Sequence, residues 1–262
     1  VSHGGQGGGV LAFDLSDPTD PQPLSSAPSY EFAWGLAHAG SHVYLADGCA
    51  GFGVIDATDP ADLQRVGDAW TGCAARDVVV RDGLAYVADD QQGLHIIDVS
   101  APNAPTLRAT WQHPVEPGYA LGVAVAGDHV FLTGAQVGLD IIDVSDPDNP
   151  VGVARYDTDG SALDVAVAGD YAYVADDWGG LVILDVSDPT NPTWVGTCGD
   201  CVPAQGVSLS GSFALVAAHS AGVHVVSVAD PAAPTVVASY DTGGFARRVG
   251  RAAVHRAAGG GR

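Results

Sequence analysis

The sequence predicts an all-β fold assembled radially from repeated four-stranded sheets, and three observations carry that expectation. One phrase returns at a nearly constant interval: "FDLSDP" at Asp14, "IDATDP" at Asp56, "IDVSAP" at Asp98, "IDVSDP" at Asp143, "LDVSDP" at Asp185 and "VSVADP" at Ser227, spaced by 42, 42, 45, 42 and 42 residues. A second phrase keeps the same beat, with units opening at Ala33, Ala75, Ala120, Ala162, Ala204 and Ala246. Composition agrees: 35 Gly and 16 Pro, no Met, no Lys and only two Glu (Glu31 and Glu116) leave few helix formers and many turn residues. Four-stranded units of roughly 40–45 residues are the mark of a β-propeller, in which each sheet buries its faces on its neighbours.

The unit opening at Ala162 shows the four strands, a to d, in order: "ALDVAVA", "YAYVAD", "GLVILDVS" and "PTWVGT". Between them stand "GD", "DWG" and "DPTN", where Gly accepts positive φ, Asp bonds its own backbone and Pro presets φ. Alternating and β-branched apolar residues between such turns read as strands. Complete blades start near residues 33, 75, 120, 162 and 204. The N-terminal stretch 1–32 supplies strands c and d of a sixth blade, and 246–262 supplies its strand a. The prediction is therefore one domain over 1–262, most simply six-bladed, its ring closed by joining the two ends and so free of open sheet edges. The last sixteen residues carry five arginines and no acid, and "HRAAGG" (His255–Gly260) has no large apolar residue where strand b of that blade should lie. The sixth blade is thus expected to be weak, or completed by a strand from another molecule, giving oligomers or fibres.

"GLHIIDVS" (Gly93–Ser100), "GLDIIDVSDP" (Gly138–Pro147) and "GLVILDVSDP" (Gly180–Pro189), each after a "YVAD"-like strand, resemble the LVIVD-repeat family over about residues 1–250. The resemblance implies a mostly bacterial or archaeal protein, often exported or surface-attached, of a family largely without assigned activity.

Net charge is −21, which argues against nucleic acid or an anionic membrane as partner. No apolar run approaches the 18 or so residues a membrane span needs. Four cysteines permit two disulfides and an oxidising compartment. Cys198 with Cys201, and Cys49 with Cys73 between neighbouring loops, are the expected pairs, with free thiols as the alternative. Zinc binding by all four fails, because Cys73 and Cys198 belong to opposite sides of the ring.

The repeated aspartates sit at the regular face, where strand c turns into strand d. Similar copies of one phrase are what similar turns require, so they are read as turn and strand-end hydrogen bonding, with calcium ligation as the alternative and no other cofactor. The opposite face carries the irregular loops, where function usually resides on a rigid scaffold. Candidate ligand-binding residues there are Trp34, Arg76, Asp77, His113, Glu116, Asp164 and Arg248, an aromatic-rimmed, mixed-charge channel mouth. The functional expectation is a non-enzymatic, exported or cell-surface module presenting this face to a protein or glycan. The alternative is a hydrolase or lyase using Asp77, Asp164, His113 and Glu116.

Overall fold

The computed structural model describes residues 9–72, 74–114 and 119–250. The sixth blade opens the chain with β1 (Gly9–Asp14) and β2 (Gln22–Pro28). Blade 1 holds β3 (Gly35–Ala39), β4 (His42–Ala46), β5 (Phe52–Asp56) and β6 (Gln64–Ala69). Blade 2 holds β7 (Ala75–Arg81), β8 (Leu84–Asp89), β9 (Gly93–Asp98) and β10 (Thr106–Trp111). Blade 3 holds β11 (Gly122–Ala126), β12 (His129–Gly134), β13 (Gly138–Asp143) and β14 (Val151–Tyr156). Blade 4 holds β15 (Asp164–Ala168), β16 (Tyr171–Ala175), β17 (Leu181–Asp185) and β18 (Thr193–Cys198). Blade 5 holds β19 (Gly206–Ser210), β20 (Phe213–Ala217), β21 (Val223–Ser227) and β22 (Thr235–Tyr240). Among the described residues these form five four-stranded sheets and one two-stranded sheet, with strands paired in chain order. The architecture is the all-β, six-bladed propeller that the repeat predicts.

Strand c is the apolar centre of each complete blade. Leu94, Ile96 and Ile97, or Leu139, Ile141 and Ile142, have no exposed surface, because neighbouring blades cover both faces of the sheet. Alternation then sorts side chains between neighbours. Tyr86 packs toward blade 3 with Val123 and Val130, whereas Val87 packs toward blade 1 with Tyr44 and Val54. A further cluster of Val10, Ala27, Val43, Leu45 and Ile55 joins β1 and β2 to blade 1. In every blade the pairing of the last two strands slips by a residue, as at Ile141/Ile142 and Ala12/Phe13. Such bulges strengthen the twist of the outer edge.

The glycine heading strand c has a steric cause. Gly138 has φ +78°, and a Cβ there would lie 2.1 Å from the Tyr156 carbonyl oxygen. Only glycine allows the turn and the final strand to meet so closely.

The expected strand a of the sixth blade is reduced. Ala246 bridges His219 as Ala204 bridges Asp177, but residues 247–250 form no ladder. They nevertheless occupy the inner position, since a Cβ on Gly206 would meet the Arg247 carbonyl at 2.8 Å and Arg248 Cα at 3.1 Å. The segments "VSH" and "HRAAGG", on which the strand b expectation rests, lie outside the described residues.

Candidate functional site

The repeated aspartates are turn groups. Asp14, Asp56, Asp98, Asp143 and Asp185 each accept the N–H two residues on, at 2.8–2.9 Å. Asp17, Asp59, Asp146, Asp188 and Asp230 repeat the device on the next turn at 2.9–3.1 Å. These bonds hold the carboxyls of Asp56, Asp98 and Asp185 below the usual carboxylate range, the side-chain hydroxyl of the Thr or Ser being the larger cause. Among the described residues no group of three or more His, Cys, Asp or Glu is placed to hold a metal ion.

At the opposite face, the inner strands converge on the channel. Their equivalent positions read Gly35, Asp77, Gly122, Asp164, Gly206 and Arg248, glycine alternating with a charged residue. The geometry explains the alternation. Each glycine leaves room for the next inner strand: a Cβ on Gly35 would meet Asp77 Cα at 2.8 Å, and one on Gly122 would meet Asp164 Cα at 2.8 Å. Each aspartate then reaches forward to a backbone donor of the following blade. Asp77 Oδ2 accepts the Val123 N–H at 3.1 Å and Asp164 Oδ2 the Val207 N–H at 3.0 Å. Arg248 closes the circle, donating to Asp77 Oδ1 at 2.5 Å and to the Leu121 carbonyl at 3.4 Å. Burial pushes the Asp164 carboxyl up to about 6, with Arg248 pulling it down and Asp77 raising it further.

Above this ring opens a cavity of about 610 Å³ bounded by Phe32, Trp34, Arg76, Gln205, Arg247 and Arg248. Trp34 stacks under the Arg76 guanidinium at 4.9 Å, and Arg76 also pairs with Asp90 at 3.0 Å. The structure thus gathers Trp34, Arg76, Asp77, Asp164 and Arg248 at one place. His113 is elsewhere: it packs edge-on to Trp111, with Nε2 3.0 Å from Asp140 Oδ2, on the outer strands of blades 2 and 3. The reason is that its loop leaves the outermost strand β10, well before the chain returns to the channel. Glu116 lies outside the described residues. Cys198 and Cys201 form a disulfide with Cα atoms 5.6 Å apart. Cys49 is disulfide-bonded too, and its expected partner Cys73 lies outside the described residues.

Sequence reading missed three carboxylates with no exposed surface, Asp47, Asp89 and Asp176, each at the end of strand b or one residue past it. Their signal is the recurring "AD" of "YLAD" and "YVAD". Asp47 accepts the N–H groups of Tyr30 and Glu31 and pairs with Arg65 at 2.7 Å. Asp176 accepts the Thr158 hydroxyl at 2.6 Å and the Gly160 N–H at 2.9 Å. Asp89 accepts the Thr71 hydroxyl, and burial pushes its carboxyl up to about 6.

A family model of the LVIVD repeat matches residues 32–71, 72–112, 117–158, 159–200 and 203–242. The chain belongs to the LVIVD-repeat family. The matched units coincide with the five complete blades. No curated protein matches this LVIVD-repeat chain in sequence. Among solved structures, it superposes on a candidate 6-phosphogluconolactonase from Bacteroides uniformis with a TM-score of 0.74 at 15% identity, covering 91% of this chain and 79% of the other. A functionally unknown protein from Desulfotomaculum acetoxidans gives 0.71 at 16% identity, with 84% and 74% covered. The computationally designed Ika8 protein gives 0.65 at 10% identity over 84% of this chain, which spans 65% of that one. At such identities the likeness establishes the fold alone.

Proposed function

We propose that this LVIVD-repeat chain is a binding module of an exported or surface-displayed protein that takes a carboxylate-bearing protein or glycan group at the channel mouth. One observation carries the reading: three guanidiniums, Arg76, Arg247 and Arg248, and the Trp34 ring bound a cavity of about 610 Å³ in a chain of net charge −21. A guanidinium fork suits a carboxylate, and an aromatic wall supplies apolar contact. Arg76 and Arg248 already hold Asp90 and Asp77, which leaves Arg247 as the guanidinium for an incoming carboxylate, and two of the acids that a hydrolase would need are engaged as well. Asp77 and Asp164 serve the backbone of the next blade and the Arg248 pair, which favours binding over catalysis. The Cys198–Cys201 disulfide is compatible with an oxidising compartment, and no helix among the described residues is long and apolar enough to cross a membrane.

The test is an array of uronic-acid glycans and carboxylate-rich peptides, probed with the wild type and with a Trp34→Ala/Arg76→Ala/Arg247→Ala variant. Loss of the bound species in the variant is expected, and unaltered binding would overturn the proposal. Turnover in a lactone, glycoside or phosphoester panel that disappears in Asp164→Asn would establish the hydrolase instead.

A further inference from the structure

A second cleft on the same face, away from the mouth, is open in one blade and filled in its neighbours. In blade 1 the space beside strand c is occupied by Arg65: its guanidinium reaches Asp47 at 2.7 Å, covers the Tyr30 ring at 4.0 Å and keeps only 5% of its side chain exposed. Gly53 makes room for it, since a Cβ there would lie 2.5 Å from Arg65 Nη2. In blade 3, Asp140, Arg155 and His113 fill the matching space, leaving about 10 Å³ beside them.

Blade 2 has no such cation. Pairing places Leu107 opposite Ile97 where blade 1 has Arg65 opposite Ile55, so an aliphatic side chain stands at the position of the guanidinium. At the Gly53 position stands His95, held by Thr110 through Nδ1 at 2.9 Å. The result is a cavity of about 660 Å³, walled by Trp70, Thr71, Gln92, His95, Thr110 and Gln112. Asp89, the counterpart of Asp47, lies beneath it with Oδ1 unpaired, and the His95 Nε2 beside it is also without a hydrogen bond. Trp70 stands at the rim with 76% of its surface in water, its ring free to stack on a ligand.

We infer that this blade 2 cleft binds a neutral polyhydroxylated ligand, a sugar ring stacked on Trp70 and hydrogen-bonded by Gln92, Gln112, Thr71 and Thr110. The wall chemistry selects that class. Two carboxamides both donate and accept, and the Thr71 and Thr110 hydroxyls, already bonded to Asp89 and His95, keep lone pairs for sugar hydroxyls. No Arg or Lys lines the cleft, so an anion gains nothing there. A wholly apolar ligand would strip water from the amides and hydroxyls without replacing its hydrogen bonds. The volume falls in the range of small-molecule sites, roughly 300–1,000 Å³. The site is separate from the channel mouth, and neither reading depends on the other.

The test is saturation-transfer NMR and calorimetry with glucose, galactose, mannose, N-acetylglucosamine and their neutral disaccharides. Wild type is compared with Trp70→Ala, Gln92→Ala and Leu107→Arg, and with Trp34→Ala as a mouth control. Trp70 and Gln92 are exposed, so their replacement leaves the fold intact, which circular dichroism verifies. Saturable binding of at least one sugar is expected, weakened about tenfold or more in Trp70→Ala and Gln92→Ala. Leu107→Arg should crowd the cleft with a long cationic side chain and weaken sugar binding, while His95 keeps that side chain from the seat Gly53 gives Arg65 in blade 1. Trp34→Ala should bind as wild type does. Absence of saturation with every neutral sugar, or equal affinity in Trp70→Ala, overturns the inference. Loss of binding in Trp34→Ala alone would also overturn it, by moving the sugar to the mouth.

Discussion

At the scale of single residues, aspartate does two opposite jobs in this chain, and burial separates them. The half-buried or exposed aspartates of the repeated phrase bond the backbone of their own turn, as in Asp185 with Ser187. That bond is local and independent of any ion, so thermal unfolding with calcium and with EDTA should give coincident curves. A midpoint raised by calcium would make these carboxylates ligands, since a ligand bound only by the native state at 100 times its dissociation constant stabilises by about 2.7 kcal/mol. The buried aspartates instead depend on distant partners. Asp47 has no exposed surface and relies on Arg65, whose side chain is 5% exposed. Truncation in Arg65→Ala leaves a buried carboxylate with only its two backbone donors, and should cost about 3 kcal/mol in urea unfolding. Trp70→Ala, at the exposed rim nearby, should change stability by less than about 0.5 kcal/mol.

At the scale of elements, the inner strands approach one another through glycine, and the approach leaves no room for a side chain. A Cβ on Gly122 would meet Asp164 Cα at 2.8 Å, Thr133 Oγ1 at 2.9 Å and the Leu163 carbonyl at 3.0 Å. Two of these are backbone atoms that cannot rotate away, so Gly122→Ala should destabilise by about 1–3 kcal/mol. Gly40→Ala is the comparison: nothing lies within 4 Å, and its cost is confined to the strain of φ +62°. Denaturant midpoints of the two variants should rank in that order. These elements were largely legible in advance, because strand periodicity, turn residues and the repeat are properties of a few adjacent positions. The alternation of Gly35, Asp77, Gly122, Asp164, Gly206 and Arg248 was visible for the same reason. The partners were not. His113 stands on an irregular-face loop in sequence, yet Asp140 and Arg155 draw it to the outer strands. The cleft under Trp70 was hidden because it arises from a difference between repeats, Leu107 in place of Arg65, whose effect depends on strand register.

At the scale of the whole molecule, charge and burial together set how stability depends on pH. The chain is strongly acidic, and self-repulsion among its carboxylates weakens as they are protonated. Burial raises Asp89 and Asp164 to about 6 against an ordinary value of 3.8, and raises Asp140 and Asp176 as well. A carboxyl raised in the folded state binds its proton there more readily than in the unfolded chain. Between pH 6 and 4 the folded state therefore holds more protons, and stability increases as pH falls. Two groups act the other way. His95 is lowered by burial, with the Thr71 backbone opposing, so its contribution is complete above the unfolded value of 6.5 and is lost on acidification. The turn aspartates, among them Asp56, Asp98, Asp143 and Asp185, are lowered by their hydrogen bonds, and their contribution disappears as pH falls below 3.8 through their folded values. Four raised carboxyls outweigh one histidine, so the thermal midpoint should rise from pH 7 to a maximum near pH 4 and fall below it. Asp89→Asn separates the buried contribution from general repulsion. Its amide can keep the oxygen toward Thr71 while removing the buried charge, so it should stabilise the protein at pH 7 and flatten the rise. A midpoint that falls steadily from pH 7 downward in the wild type but not in Asp89→Asn would show that Asp89 is held as an anion, and that its environment in blade 2 supplies a positive partner.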